Sequence, residues 1–430
     1  MLLRYLCTFM NRNIAVAAVG GIITIIILIL IEIYAFKGIH VSLKEWNSIW
    51  RSVIYWFYWI ATIFSFGLVV MAFMNFRAWR TEHPQWLAFA MAVFMVLWAP
   101  KLLLAIFHVL DDLRFGVQSL ATAFGKTSEP TGGNPISRAT FLTRIGQVTA
   151  GIVFAGFLYG VTLGKFAFRT IKHTVPFAGL PDGLQGLKVV QISDAHLGSF
   201  MDNFDDVSKG IEMINSLNPD LILFTGDLVN IESSEAEPWI PVFSKLKARF
   251  GKYSILGNHD YADYGNLTPE QREFSRKRLA EIHTEMGFDL LLNENRVLDI
   301  NNEKLALIGV ENWGKGFKQQ GDLAKAMRGI EGVSNRILLS HDPTHWEEQV
   351  LGKEEIQLTL SGHTHGMQMG LEIPSIGLKL SPARLRYKRW GGLYTEEKQH
   401  LHVNRGFGFL GFPGRVGMAP EITFLELKQA

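Results

Sequence analysis

The segment LTLSGHTHGM, Leu358–Met367, places two histidines one residue apart at the end of an apolar run, bracketed by glycines. A His-x-His pair can hold metal or merely sit in a turn, and the pair alone does not decide. Four further stretches change the balance. Asp194 and His196 follow VVQIS, Gly226-Asp227 follows LILFT, Gly257-Asn258-His259-Asp260 follows YSIL, and His341-Asp342 follows RILLS. Each is a short apolar run of strand character that delivers Asp, Asn or His at its carboxyl end. Ligands of open α/β sheets bind outside the carboxyl ends of the strands, so five such ends are expected to converge on one crevice.

The donors are carboxylate, imidazole and amide without thiolate. That set suits manganese, iron, zinc or magnesium and argues against a thiolate-rich zinc-finger site. One catalytic ion takes three or four protein ligands. Asp194, His196, Asp227, Asn258, His341, His363 and His365 are too many for one, so two divalent ions sharing a bridging carboxylate fit better. His363 and His365 then serve different ions, and the glycines let the backbone turn tightly around both.

In that order, DAH, GD, GNHD, SH and GHTH resemble the motif series of the calcineurin-like metallophosphoesterases, firmly from Val189 to His365 and more loosely to the C-terminus. The tail VNRGFGFLGFPGRVGMAPEITFLEL is similar to that of a small membrane-associated branch that hydrolyses phosphodiesters or pyrophosphates, several of whose members act on lipids. The resemblance implies a two-sheet αββα domain. It also implies that Asp194, His196, Asp227 and His365 hold one ion, and that Asp227, Asn258, His341 and His363 hold the other. His259 is left free of metal, to stabilise phosphoryl oxygens or protonate the leaving oxygen, with Asp260 orienting its ring. The chain departs from the branch at Met367, where members often carry glycine; this bears on pocket shape and leaves the ligands untouched.

The elements that must carry these residues are legible from about His173 onward. Strand runs LKVVQIS, DLILFTG, KYSIL, RILLS and IQLTLS occur with helix candidates VSKGIEMINSL, PWIPVFSKLKARF and QREFSRKRLAEIHTEMG, and NRVLDI with KLALIGV reads as a hairpin. Four to seven apolar residues per strand predict an α/β core whose strands are buried on both faces. Residues 173–430 are therefore expected to form the phosphoesterase domain.

Residues 1–172 differ in kind. About 20 consecutive apolar residues span a bilayer core as a helix, and Ile14–Phe36, Val53–Phe76, Trp86–Leu110 and Ile145–Leu163 meet that length. Pro100 and Lys101 interrupt the third, which is either one kinked span with Lys101 facing the bundle interior or two shorter pieces. The first apolar core is too long for a signal peptide and no small-x-small site follows it, so it is read as an anchor. Phe124–Thr140 has the composition of a solvated loop. The chain is thus expected to be a multi-pass integral membrane protein. Lys and Arg are equally frequent on the two sides, but Arg77, Arg80, Lys165, Arg169 and Lys172 lie closest to span ends, which points the catalytic domain to the cytoplasm.

Cys7 alone excludes an intramolecular disulfide, and a net charge of +2 gives no reason to expect a nucleic-acid partner. A sensor or transporter would need polar residues inside the spans, and only Glu32, Lys101 and Asn75 qualify. Barely ten residues separate Leu163 from His173. A tether that short, at about 3.5 Å per residue, favours a phosphate-ester substrate presented by the bilayer, a lipid above all, over a soluble diester. GFGFLGFPG, Gly406–Gly414, is either a substrate-lining or membrane-dipping loop or ordinary packing, and LRYKRW, Leu385–Trp390, is a candidate for headgroup and acyl contacts. His345, in HDPTHWEE, lies closer to the motifs and is either structural or in touch with substrate; His40, His83, His108, His173, His283, His400 and His402 are read as structural.

Overall fold

A computed structural model describes residues 2–81, 83–124, 138–373 and 376–430; most of the loop expected at Phe124–Thr140 lies outside them. The chain divides into two compact units, Met1–Leu158 and Tyr159–Ala430.

The first unit is helical: α1 (Leu2–Ser42), α2 (Ser48–Met74), α3 (Phe76–Thr81), α4 (Pro84–Ala123) and most of α5 (Arg138–Thr162). Val19–Ser42, Ser48–Met74, Pro84–Val117 and Arg144–Thr162 are each long and apolar enough to cross a bilayer. Pro100 lies inside α4 without ending it, so the third span is one helix. Lys101 is buried, its Nζ 3.0 Å from both carboxylate oxygens of Glu32 on α1 and 2.6 Å from Thr62 Oγ1 on α2. One turn earlier, Trp98 Nε1 donates to Ser65 Oγ at 3.0 Å. The two charges that could have marked a transport path instead neutralise each other and tie three helices together.

The second unit contains β1 (Arg169–Phe177), β2 (Lys188–Ile192), α6 (Phe204–Ser216), β3 (Leu221–Phe224), α7 (Ile240–Phe243), β4 (Lys252–Ser254), α8 (Pro269–Glu285), β5 (Asp289–Leu290), β6 (Glu294–Ile300), β7 (Glu303–Gly309), α9 (Leu323–Ala326), β8 (Asn335–Leu339), β9 (Leu358–Ser361), β10 (Leu371–Ile373), β11 (Leu378–Leu380), β12 (Gly392–Glu396), β13 (Gln399–Val403) and β14 (Glu421–Gln429). One sheet runs β1-β14-β2-β3-β4-β5, a second β12-β13-β9-β8-β7-β6, and β10-β11 form a separate ribbon.

Alternation within each strand explains the layering. Val189, Leu221 and Leu223 point to the space between the sheets, where they meet Leu305, Leu307, Ile337, Leu339, Leu358 and Leu360. The intervening Val190, Ile222 and Phe224 face outward onto Val207, Ile211 and Ile214 of α6 and Leu279 and Ile282 of α8. Ile308 and Leu338 likewise cover Leu323, Ala326 and Trp346 on the other outer face. A residue-by-residue switch between two apolar environments makes nearly every central position apolar, Gln191 and Thr359 excepted, which is why these strands read as hydrophobic runs. Thr268 and Gln271 form a capping box at α8, with Pro269 in the first turn.

Two expectations change. PWIPVFSKLKARF is not one helix: α7 is a single turn, because Asn215 takes the Lys245 carbonyl (2.9 Å) and the Lys247 amide (2.9 Å) out of any helical ladder. Nor is there a free tether from Leu163 to His173. β1 pairs in parallel with β14 from Arg169, and the last turn of α5 is held by the unit itself, the Arg415 amide donating to the Gly160 carbonyl at 3.1 Å.

Candidate metal centre

β2, β3 and β4 are neighbouring parallel strands whose last paired residues are Ile192, Phe224 and Ser254, while β8 and β9 pair in parallel up to Leu339 and Leu360. Asp194, Asp227, Asn258, His341 and His363 leave these five strands within two to four residues of those pairings. The two sheets therefore present their carboxyl ends side by side. Five of the seven donors, Asp194, His196, Asp227, His363 and His365, adopt left-handed backbone, with φ between 46° and 70°. That conformation is uncommon for residues with a Cβ and clusters at functional sites.

Two trios form. Ligand atoms of Asp194, His196 and His365 lie within 4.8 Å of one another, and so do those of Asp227, His341 and His363. Asp227 Oδ2 faces both, 3.6 Å from His196 Nε2 and 3.2 Å from His341 Nε2. Asn258 Oδ1 joins the second trio, 2.7 Å from His363 Nδ1 and 3.2 Å from His341 Nε2.

The hydrogen bonds test whether these atoms suit a cation. His341 Nδ1 sits 2.7 Å from the Thr225 carbonyl, so it carries the proton donated there. Its Nε2 lone pair then faces two more acceptors, Asp227 Oδ2 and Asn258 Oδ1. Acceptors converge in this way only around positive charge, whether a proton or a metal ion. The titration behaviour agrees: burial opposes protonation of His341, yet the Asp227 carboxylate pushes its imidazole up to about 10. In the other trio His196 Nε2 and His365 Nε2 are 3.1 Å apart, while the buried Nδ1 atoms of both rings have no hydrogen-bond partner among the described residues. Burial pushes His363 down to about 4 and His196 well below the usual imidazole range. The Asp194 and Asp227 carboxyls, which burial alone would raise, are held low by the surrounding imidazoles. Neutral imidazoles and ionised carboxylates are the states that bind divalent metal; His341 would give up its Nε2 proton on binding, and with that exchange the donor set fits such ions.

Of the two bracketing glycines, Gly366 takes the left-handed turn, with φ 53°, and Gly362 acts by close approach. A Cβ on Gly362 would lie 2.8 Å from Ser193 Cβ and closer still to the Asp194 carboxylate, and its φ is not left-handed.

His259 stands at the rim, half-buried. Its Nδ1 is 2.7 Å from the Asn230 carbonyl, its ring stacks on Tyr264 at 4.2 Å, and it lies edge-on to His196 at 5.0 Å. Asp260 does not orient it, contrary to the sequence-based expectation. The Asp260 carboxylate accepts the amides of Asp227 (2.9 Å), Leu228 (2.8 Å), Val229 (3.3 Å) and Gly257 (2.8 Å), so it shapes the loop carrying Asp227.

Other expectations resolve as follows. His345 is buried, with Nδ1 2.8 Å from Ser340 Oγ and Nε2 3.1 Å from Gln349 Oε1; it packs in the core and does not face substrate. GFGFLGFPG is largely packing: Phe407 and Phe409 are buried, and the fully buried Arg415 guanidinium donates to the carbonyls of Arg405, Gly406 and Gly408. LRYKRW is divided. Tyr387 is buried with its hydroxyl 2.8 Å from His363 Nε2, whereas Leu385, Arg386 and Lys388 are exposed. Sequence reasoning missed Asn230, Tyr264, Phe317 and the role of Tyr387. Phe317 meets the His363 ring edge-on at 4.7 Å, and Tyr264 accepts from Asn258 Nδ2 at 2.8 Å. None of these carries a motif or a periodicity.

Comparison with known proteins adds the following. Residues 187–367 match the family "Calcineurin-like phosphoesterase", and residues 17–165 match "Probable Calcineurin-like phosphoesterase, transmembrane domain". The chain is 32% identical over 313 residues to an uncharacterized metallophosphoesterase, YkuE, of Bacillus subtilis, covering 68% of this chain and 98% of that one. It is 29% identical over 299 residues to the phosphodiesterase YaeI of Escherichia coli, covering 68% and 99%. With the UDP-2,3-diacylglucosamine pyrophosphatase LpxG of Chlamydia muridarum it shares 31% over 270 residues, 52% of this chain and 79% of that one.

Proposed function

Because the chain belongs to the calcineurin-like phosphoesterases and is a membrane protein with a metal-dependent phosphoester hydrolase domain, we propose that it is a binuclear enzyme cleaving a phosphodiester or pyrophosphate bond in a lipid-linked or amphiphilic substrate. The observation that carries the binuclear reading is Asp227 Oδ2, which faces both trios. Asp194, His196, Asp227 and His365 would hold one divalent ion, and Asp227, Asn258, His341 and His363 the other. When bound, the ions neutralise phosphoryl charge and lower the pKa of a water towards neutrality.

The chain's own residues do the rest. Thr225 and Tyr387 fix the rings of His341 and His363, so each presents one nitrogen inward. His259, whose Nδ1–H donates to the Asn230 carbonyl, would act as the imidazolium, its Nε2–H bonding a phosphoryl oxygen or passing its proton to the leaving oxygen. A phosphodiesterase and a UDP-2,3-diacylglucosamine pyrophosphatase among the relatives, the latter named for a diacylated substrate, support both the bond type and the amphiphilic substrate.

The test compares matched phosphodiesters and pyrophosphates with and without acyl chains, using full-length protein in vesicles. Acyl chains are expected to raise kcat/KM. If they make no difference, the lipid reading fails and a soluble diester is the substrate. The catalytic unit is read as cytoplasmic from the arginines and lysines beside the span ends; protease added outside intact cells should spare it, and digestion would put it on the other side.

A further inference from the structure

We propose that the β10–β11 ribbon, with Leu385 beside it, enters the headgroup layer of an anionic bilayer and seats the metal centre against the membrane surface. The proposal rests on the lipid reading of the site and adds to it the surface that does the docking.

The ribbon is amphipathic in the wrong sense for water. Leu371 pairs with Leu380 and Ile373 with Leu378 on one face, and Glu372 pairs with Lys379 on the other. The charged face is the one turned to the body. Glu372 Oε1 is 2.7 Å from Arg405 Nη2, while Lys379 lies over the Trp390 ring at 4.6 Å and donates to the Gly391 carbonyl. The apolar face is turned away: Leu371 is 49% exposed, Leu380 45% and Ile376, in the connection between the strands, 71%, with Ile373 and Leu378 half-buried. A ribbon with one solvated face puts its polar side outward, and two isolated three-residue strands are marginal in water. A covered apolar face removes both difficulties.

Two features select a bilayer as the cover. Leu385, 93% exposed, stands among Arg384, Arg386 and Lys388, all exposed, which is the pairing of apolar and basic groups that anionic headgroups attract. The ribbon is also continuous with the end of the fourth span. Just before β10, the Gly370 amide donates to the Val416 carbonyl at 2.9 Å and the Val416 amide to Gln368 at 2.8 Å, and the neighbouring Arg415 amide reaches Gly160 in the last turn of that span. The Ser381 hydroxyl, next after β11, bonds the Gly366 carbonyl at 2.6 Å, so the ribbon is fixed to the loop that carries His363 and His365. Tyr387, on His363, is two residues from Leu385. A headgroup phosphate beside Leu385 would thus enter next to the second trio.

The experiment reads contact without turnover, so its failure is separable from failure of the substrate assignment. Full-length Cys7→Ser protein carrying Ile376→Cys, Leu385→Cys or, as control, Glu331→Cys is labelled with an environment-sensitive fluorophore. It is then placed in nanodiscs of phosphatidylglycerol and phosphatidylcholine containing nitroxide lipid. Cysteines at such exposed positions leave folding undisturbed. Emission at positions 376 and 385 is expected to fall about twofold or more, as for groups seated some 5–10 Å into the interface, with the control unchanged. Quenching no greater than at position 331 overturns the proposal. So does a signal that depends on protein density and not on nitroxide, which would mean a second copy covers the ribbon.

Discussion

Gly362 gives the sharpest test of the centre's geometry. Adding one methyl there by Gly362→Ala puts a Cβ 2.8 Å from Ser193 Cβ and nearer still to the Asp194 carboxylate, in a place where carbon contacts need about 3.5–4.0 Å. Something must move by roughly 1 Å, and Asp194 is fully buried with its oxygens 3.0 Å from the His363 amide. Metal–ligand distances tolerate only about 0.2 Å, so an ion held as proposed by Asp194, His196, Asp227 and His365 would lose a ligand. A 1 Å misplacement costs about 10²-fold in rate, or about 2.7 kcal/mol of transition-state stabilisation. The assay is metal content per chain alongside kcat/KM on a soluble aryl phosphodiester. Gly332→Ala, with nothing within 4 Å of its added carbon, is the control and should match the parent. A Gly362→Ala protein with full metal content and a rate within about threefold of the parent would refute the reasoning, since the Asp194 cradle could not then be as tight as described.

Asp227→Ala should lose metal at both positions and nearly all hydrolysis; unchanged metal with parental turnover would sink the bridging role. His259→Gln should keep both ions and slow turnover by about 10²–10⁴-fold, the range for a general acid, whereas loss of metal would make His259 a ligand. In the first unit, Lys101→Met strands the Glu32 carboxylate and should destabilise the helices by about 3–5 kcal/mol, with Glu32→Gln added to it restoring much of the loss. Thermal unfolding in detergent reads this, and a single variant as stable as the parent would show that the pair is not buried as described.

The centre was largely legible in sequence because metal chemistry restricts its donors to a few residue types, and parallel strands deliver them at their carboxyl ends. Order along the chain, from Asp194 to His365, was therefore enough to collect them. Adjacency misled where the backbone turns within one motif. Asp260 follows His259, but the short helical turn Asn258–Tyr261 sends its carboxylate to the amides of residues 227–229. Partners far apart in sequence left no trace: Tyr387 on His363, Asn230 on His259, and β1 beside β14 all depend on closures that no local pattern encodes. The ribbon shows a subtler limit. LEI and LKL predict an apolar face correctly, but periodicity cannot say whether that face turns to the body or away from it.

Strain at the centre leads to a prediction about metal removal. Each of the five left-handed non-glycine donors costs about 1 kcal/mol or more, so their sum approaches the 5–15 kcal/mol by which a whole domain is stable. The conformation persists only if something compensates it, and a divalent ion does so by linkage, contributing about 4 kcal/mol at a thousandfold excess over its Kd. Stripping metal with a chelator should then lower the unfolding midpoint of the catalytic unit by roughly 10 °C, at about 2–4 °C per kcal/mol for a domain of this size. Calorimetry of the full-length protein in detergent can read it, with the first unit's transition as internal reference. If elemental analysis shows the metal gone and the midpoint unmoved, the strained loops are held by protein contacts alone, and the ions contribute to chemistry but not to the fold.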